Sequence, residues 1–130
     1  MIEAPIPKPT DAELAILRDL WRLGPCTVRD LADAQPPAHR RGYTTLLKLL
    51  QIMSEKGLVI RDESRRAHVY CARFDETTTQ RLLLSDLKTK AFDGSIGKLV
   101  MRALSSGPAS PDELAEIRRL LDQMEKGGAP

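Results

Sequence analysis

Metal ligands and nucleophiles carry the most specific chemistry a chain can offer, and here they are few and scattered. The two histidines, His39 and His68, and the two cysteines, Cys26 and Cys71, fall in four separate segments. No Cys-x-x-Cys pair is present to hold zinc. There is no phosphate-binding loop, nucleophile elbow or clustered carboxylate pair either. An enzyme, a metal site and a cofactor are therefore not expected. Cys71 reads as a small core residue on a strand, and Cys26, just ahead of a helix N-terminus, as a candidate reactive thiol. The residues that do form a pattern are cationic. Residues 40–73 hold eight Lys and Arg against three Asp and Glu, a net +5, whereas residues 1–39 carry −2 and residues 74–130 carry −1. Such a block suits a polyanionic partner. A basic face that is merely solvated has the same composition, and charge alone does not separate the two.

The elements that must position this block follow from local signals. Thr10, with Glu13 three residues on, forms a capping box, after which Leu14, Leu17, Leu20 and Trp21 share a helical face. Gly24-Pro25 stops that helix. Thr27 and Asp30 repeat the device and open a short second helix to about Ala34, with Val28, Leu31 and Ala32 on its apolar side. Pro36-Pro37 cannot continue a helix, so a loop runs to about Arg40. A third helix follows and ends at Lys56-Gly57, with the glycine where a left-handed C-cap belongs. Leu46, Leu49, Leu50 and Met53 recur at i, i+3, i+4 and i+7 and face the core. Thr44, Lys48 and Gln51 line the opposite side, with Leu47 between them.

Leu58 to Arg61 has the branched, apolar character of a strand, Asp62 to Arg66 reads as a polar turn, and Ala67 to Ala72 as the returning strand. Three helices followed by a hairpin with a basic tip form a winged helix-turn-helix, whose third helix enters the DNA major groove while the hairpin lies over the neighbouring backbone. On that geometry Lys48 is placed to donate to guanine, Thr44 and Thr45 to meet phosphate or a thymine methyl, and Leu47 to touch a methyl, with Gln51 on the same stripe. Arg40 and Arg41 before the helix, and Arg65 and Arg66 at the hairpin tip, are placed for phosphates. Tyr43 and His68 complete the expected DNA-binding set.

From about Asp75 the chain is helical again. Leu83, Leu84, Leu87 and Ala91 make one stripe, broken near Asp93-Gly94. Ile96, Leu99, Val100, Ala103 and Leu104 make a second, which stops at Gly107-Pro108. Ser110 and Glu113 form a third capping box, and Leu114, Ile117, Leu121 and Met124 follow as a heptad-like seam. Three short helices in about 55 residues cannot hide this apolar surface by themselves. A second copy of the chain would cover Leu83, Leu87, Leu99, Val100, Ala103, Leu104, Leu114, Ile117 and Leu121; packing back onto the N-terminal part is the alternative.

The expected class is therefore mainly α: a flexible arm over residues 1–9, a winged-helix DNA-binding domain over 10–74, a three-helix dimerisation domain over 75–126, and a short tail over 127–130. No apolar run approaches the roughly 18 residues of a membrane span, and the N-terminus lacks the basic-then-apolar order of a secretory signal. A cytoplasmic protein with no direct membrane binding is expected.

Several of these motifs together resemble the penicillinase-repressor (BlaI/MecI/CopY) group of bacterial transcriptional regulators. The run Tyr43-Thr44-Thr45-Leu46-Leu47-Lys48-Leu49-Leu50, with Glu55-Lys56-Gly57-Leu58-Val59, looks like that family's recognition helix and the start of its wing. Glu13, Leu17 and Trp21-Arg22-Leu23-Gly24-Pro25 resemble its first helix and turn. Lys98-Leu99-Val100 and Asp112-Glu113-Leu114-Ala115-Glu116-Ile117 resemble its dimerisation segment, so the similarity runs from about residue 10 to 125. The resemblance implies a homodimer that represses transcription from a roughly palindromic double-stranded operator. It also implies a membrane sensor-transducer peptidase as a partner, which inactivates relatives by cleavage. The bond aligned with their cleavage site falls near Arg102-Ala103, where staphylococcal members carry Asn-Phe. The copper-responsive branch uses a C-terminal cysteine cluster, and no cysteine follows Cys71, which excludes copper sensing of that kind. Two other readings compete: a winged-helix module that binds protein, and a redox-responsive DNA binder acting through Cys26. Steep salt dependence of duplex binding separates the first from a DNA binder.

Overall fold

The computed structural model describes residues 6–127. Residues 1–5 of the expected arm and 128–130 of the expected tail lie outside the described residues. The remainder of the arm has no regular structure, but Pro9 is buried, so its last residue is packed in place.

Helix α1 (Asp11–Leu23) starts on a complete capping box. The Thr10 N–H donates to Glu13 Oε1 at 2.9 Å, and the Glu13 N–H donates to Thr10 Oγ1 at 3.2 Å. Helix α2 (Val28–Ala34) opens on the same device, Thr27 and Asp30, each backbone N–H donating to the other's side chain at 3.1 Å. It ends at Gln35, whose extended backbone (φ −69°, ψ 140°) is what a following proline demands. A single 3-10 turn, Pro37–His39, occupies the loop expected there. Helix α3 (Tyr43–Lys56) closes on Gly57 in the left-handed region, φ 83° and ψ 22°. A side chain at Gly57 would also meet the end of the Arg73 guanidinium at 2.8 Å, a contact that the exposed arginine relieves by turning, so the left-handed backbone is what demands glycine there.

The hairpin consists of β1 (Val59–Asp62) and β2 (Val69–Ala72), antiparallel, with Val59 opposite Ala72 and Asp62 opposite Val69. Both strands start later than the sequence pattern predicts. Leu58 is drawn out of β1 because its N–H donates to the Met53 carbonyl at 2.8 Å, completing the cap of α3. The connection between α1 and α2 adds one more rung: the Cys26 N–H donates to the Tyr70 carbonyl (3.0 Å) and the Tyr70 N–H to that of Cys26 (2.8 Å).

Ile16, Leu17 and Leu20 of α1, Val28 and Leu31 of α2, Leu46, Leu50 and Met53 of α3, and Leu58, Val59 and Tyr70 of the hairpin form one core. Leu14 and Trp21, expected inside, are only half-buried, and Ile16 takes the central position. Trp21 keeps its polar edge satisfied, its Nε1–H donating to the Phe74 carbonyl at 3.0 Å.

Helices α4 (Glu76–Ala91), α5 (Ile96–Ser105) and α6 (Pro111–Glu125) follow. Contacts divide the chain into two compact units, one ending at Ser85 and the next beginning at Asp86. The division thus falls inside α4, eleven residues beyond the expected start of the second domain at 75. Burial of Thr79 and the Trp21–Phe74 bond attach the beginning of this stretch to the first unit. In the second unit neither α5 nor α6 has a buried residue. Among the described residues no helix is long and apolar enough to cross a membrane.

Candidate nucleic-acid interface

Amphipathicity decides which face of α3 is available. Leu46, Leu50 and Met53 are sealed in the core, and Thr44, Thr45, Lys48 and Gln51 stand exposed on the other side. Leu47 departs from its expected role: it is half-buried and packed against the core, so fewer of its methyl groups face outward. Tyr43, the first residue of the helix, is exposed beneath the Arg29 guanidinium, which lies 5.9 Å from the ring centroid. Arg29 was not among the residues singled out from sequence. Nothing in its local spacing marks it, and only the packing of α2 on α3 brings it to the start of α3.

The N-terminus of α3 differs from those of α1, α2 and α6. Each of those has a capping box and an acidic first turn, whereas α3 begins on Gly42 with no side-chain cap and no acidic residue. Its first N–H groups and the positive end of its dipole are left uncompensated beside Arg40 and Arg41. An uncapped helix start of this kind favours an anion. The preceding loop is fastened by Gln35, a second residue that sequence reading missed; its carboxamide bonds to both backbone groups of Arg41 at 3.0 Å.

The far end of α3 is tied to α1. Lys56 Nζ donates to both Glu13 carboxylate oxygens at 2.9 Å, so the carboxylate that caps α1 also sets the exit of α3. Burial works to raise the Glu13 pKa, but hydrogen bonds from Thr10 and Lys56, with the Lys56 charge, hold it below the ordinary glutamate value.

On the hairpin, Asp62 accepts the Ser64 N–H at 2.9 Å and shapes the turn. Those Ser64 hydrogen bonds, with Arg65 nearby, lower its pKa. Arg61 is paired with Glu63, and Arg65, Arg66 and His68 are all exposed. The cationic tip expected from sequence is thus present on the hairpin, and Arg40 is exposed and Arg41 half-exposed just ahead of α3.

Two sulfur assignments change. Cys26 is buried, and that burial, with the charges of Asp30 and Asp19, pushes its thiol up to about 11, so it is a neutral thiol and not an activated thiolate. This removes the basis of the redox reading. Cys71, expected in the core, is half-buried. Among the described residues no group of three or more His, Cys, Asp or Glu is placed to hold a metal ion.

Of the residues expected at a dimer contact, Leu83, Leu99 and Ile117 are half-buried, while Leu87, Val100, Ala103, Leu104, Leu114 and Leu121 are exposed. Met101, absent from that set, is the most exposed large apolar side chain among the described residues, at 70%. Arg102 and Ala103 are exposed within α5.

The profile of the penicillinase repressor family matches residues 9–123. The chain belongs to the penicillinase repressor family. The match runs through α1 to α5 and all but the last two residues of α6, so it reaches into both units. The transcriptional regulator BlaI of Mycobacterium tuberculosis is 31% identical over 119 residues, covering 90% of this chain and 85% of that protein. The penicillinase repressor of Bacillus licheniformis is 20% identical over 118 residues, covering 91% and 92%. A solved structure, the solution structure of the DNA binding domain of the repressor BlaI, is similar over 58% of this chain and 92% of that one, with 21% identity and a TM-score of 0.49. A penicillinase repressor is a transcriptional regulator, and the family is not an enzyme class.

Proposed function

We propose that this chain, a DNA-binding transcriptional repressor by family, reads a two-fold operator in the cytoplasm as a homodimer. The observation that carries this is the exposed polar face of α3, bordered by Arg40 and Arg41 at its uncapped start, with Arg65 and Arg66 on the hairpin. Lys48 and Gln51 are the base-reading residues, Thr44 and Thr45 serve phosphate or a thymine methyl, and the four arginines hold the backbone. Tyr43 and His68 border the contact.

Dimerisation through α4, α5 and α6 is supported by their exposed Leu, Val, Met and Ile side chains and by the lack of any buried residue in α5 and α6. A two-fold dimer presents two recognition helices and so selects palindromic half-sites. We infer control by a membrane sensor peptidase as well. Its support is the family and the exposure of Arg102 and Ala103; because that bond lies inside α5, the helix must open locally before cleavage.

The test is an electrophoretic shift with duplex DNA from upstream of the protein's own gene, repeated across salt concentrations. Binding that is sequence-selective and falls steeply with salt is expected. Absence of duplex binding at low salt refutes the reading.

A further inference from the structure

The loop ahead of the recognition helix is held by one buried side chain. Gln35, the residue at which α2 ends, is 6% exposed. Its Oε1 accepts the Arg41 backbone N–H, and its Nε2 donates to the Arg41 carbonyl, each at 3.0 Å. A single planar carboxamide thus pairs with both polar groups of a residue six positions ahead, as a neighbouring strand would. Other side chains cannot reproduce this: Asn is one methylene too short, ionised Glu has no donor, and Met has neither donor nor strong acceptor.

The position of the clamp gives it a consequence. Pro36 and Pro37 stiffen the chain on one side, and Gly42, the uncapped start of α3, follows immediately on the other. With no side chain at Gly42 to define where the helix begins, the fixed backbone of Arg41 is the reference point from which α3 departs. Gln35 and Arg41 also line, with Arg18, Asp19 and Pro36, an open hollow of about 470 Å³ against α1. Both hydrogen bonds of the clamp go to the Arg41 backbone, so the side chain whose point of departure it fixes is that of Arg41.

We infer that Gln35 is a positioning residue for DNA binding: by holding both backbone groups of Arg41 it fixes the point from which the Arg41 side chain departs towards a backbone phosphate, and it sets the first turn of α3. This rests on the DNA-interface reading above and adds to it a residue that touches no DNA itself.

The experiment uses the full chain, a duplex from upstream of its own gene, and a scrambled duplex of equal composition. Affinity is measured across salt for the wild type, Gln35→Met, Arg41→Ala and the double variant, and urea unfolding of each establishes the folded fraction. Gln35→Met is expected to bind about tenfold more weakly per folded molecule, the scale of one weakened charge-assisted contact to phosphate. Its salt slope should be shallower by about one unit, the signature of one lost phosphate contact. In the Arg41→Ala background the same change should cost threefold or less, because the side chain that departs from the clamp is gone (~0.7 kcal/mol or below at 1.4 kcal/mol per tenfold). Equal losses in both backgrounds with an unchanged slope would reduce Gln35 to a structural residue and overturn the proposal. If Gln35→Met does not fold, Gln35→Glu keeps the volume and the acceptor, and the same pattern is required of it. Independently, the Arg41 amide of the wild type must exchange at least about tenfold more slowly than in an unstructured peptide; exchange at peptide rates overturns the clamp. Failure of the wild type to bind either duplex at low salt refutes the interface reading and this proposal with it, whereas wild-type binding with an undiminished Gln35→Met refutes the proposal alone.

Discussion

The Glu13–Lys56 pair makes an asymmetric demand on stability that mutation can expose. Glu13 is 2% exposed, while the Lys56 side chain is 38% exposed. Replacing Lys56 by Met strands a buried carboxylate whose remaining partner is Thr10, and leaving a buried charge without its counter-ion costs about 3 kcal/mol or more. Replacing Glu13 by Gln leaves an ammonium that can turn to water, and the amide oxygen can still accept from Thr10, so about 1–2 kcal/mol is expected. The double variant, with no charge left at either position, should be less destabilised than Lys56→Met alone. Urea unfolding at fixed protein concentration near neutral pH reads all three. Acid titration then separates the pairing from the packing. Glu13 is more acidic in the folded protein than its ordinary value of 4.5, so its contribution is fully present above that value and is lost as pH falls through the lower folded-state value. In Lys56→Met the isolated carboxylate should instead be less acidic when folded, and stability should rise as pH falls from about 7 towards 5. If Lys56→Met is no more destabilising than Glu13→Gln, or shows the wild-type acid dependence, the electrostatic account of this junction is wrong.

Three further outcomes follow from the interface and the C-terminal helices. Lys48→Ala should weaken operator binding by about 1–3 kcal/mol and loosen the preference at one base position, read by footprinting against single-base operator variants; unchanged affinity and preference removes α3 from the reading role. Arg65→Ala with Arg66→Ala should weaken operator and scrambled duplex together and flatten the salt slope by about one unit per lost contact, whereas a loss confined to the operator contradicts a backbone role. A fragment ending at Ser85, which retains the buried Thr79, should sediment as a folded monomer and bind weakly, while the full chain sediments as a dimer; a dimeric fragment or a monomeric full chain refutes the assignment of dimerisation to the C-terminal helices.

Much of this molecule is legible in sequence because its devices are local. The capping boxes Thr10–Glu13, Thr27–Asp30 and Ser110–Glu113 each operate between a residue and the third one after it, and Gly57 needs only its own backbone angle to end α3. A 3.6-residue period likewise separates the buried face of α3 from Thr44, Lys48 and Gln51 without knowledge of any partner element. The same logic fails where the deciding neighbour is distant. Periodicity alone allows Leu14 a place in the core, yet the packing of α1 against α2 and β2 selects Ile16. Cys26 reads from sequence as a thiol near a helix start, but its pairing with Tyr70 buries it and keeps it neutral. Glu13 is recognisable as a cap, but its bond to Lys56 spans 43 residues, and the Gln35–Arg41 clamp follows no repeat that a sequence displays. Sequence therefore determined which segments become helices and hairpin and which face of α3 stays polar, since both depend on backbone capping and period. Tertiary structure decided how α3 is held at its two ends, because those contacts exist only once α1 and the α2–α3 loop have folded beside it and shut water out.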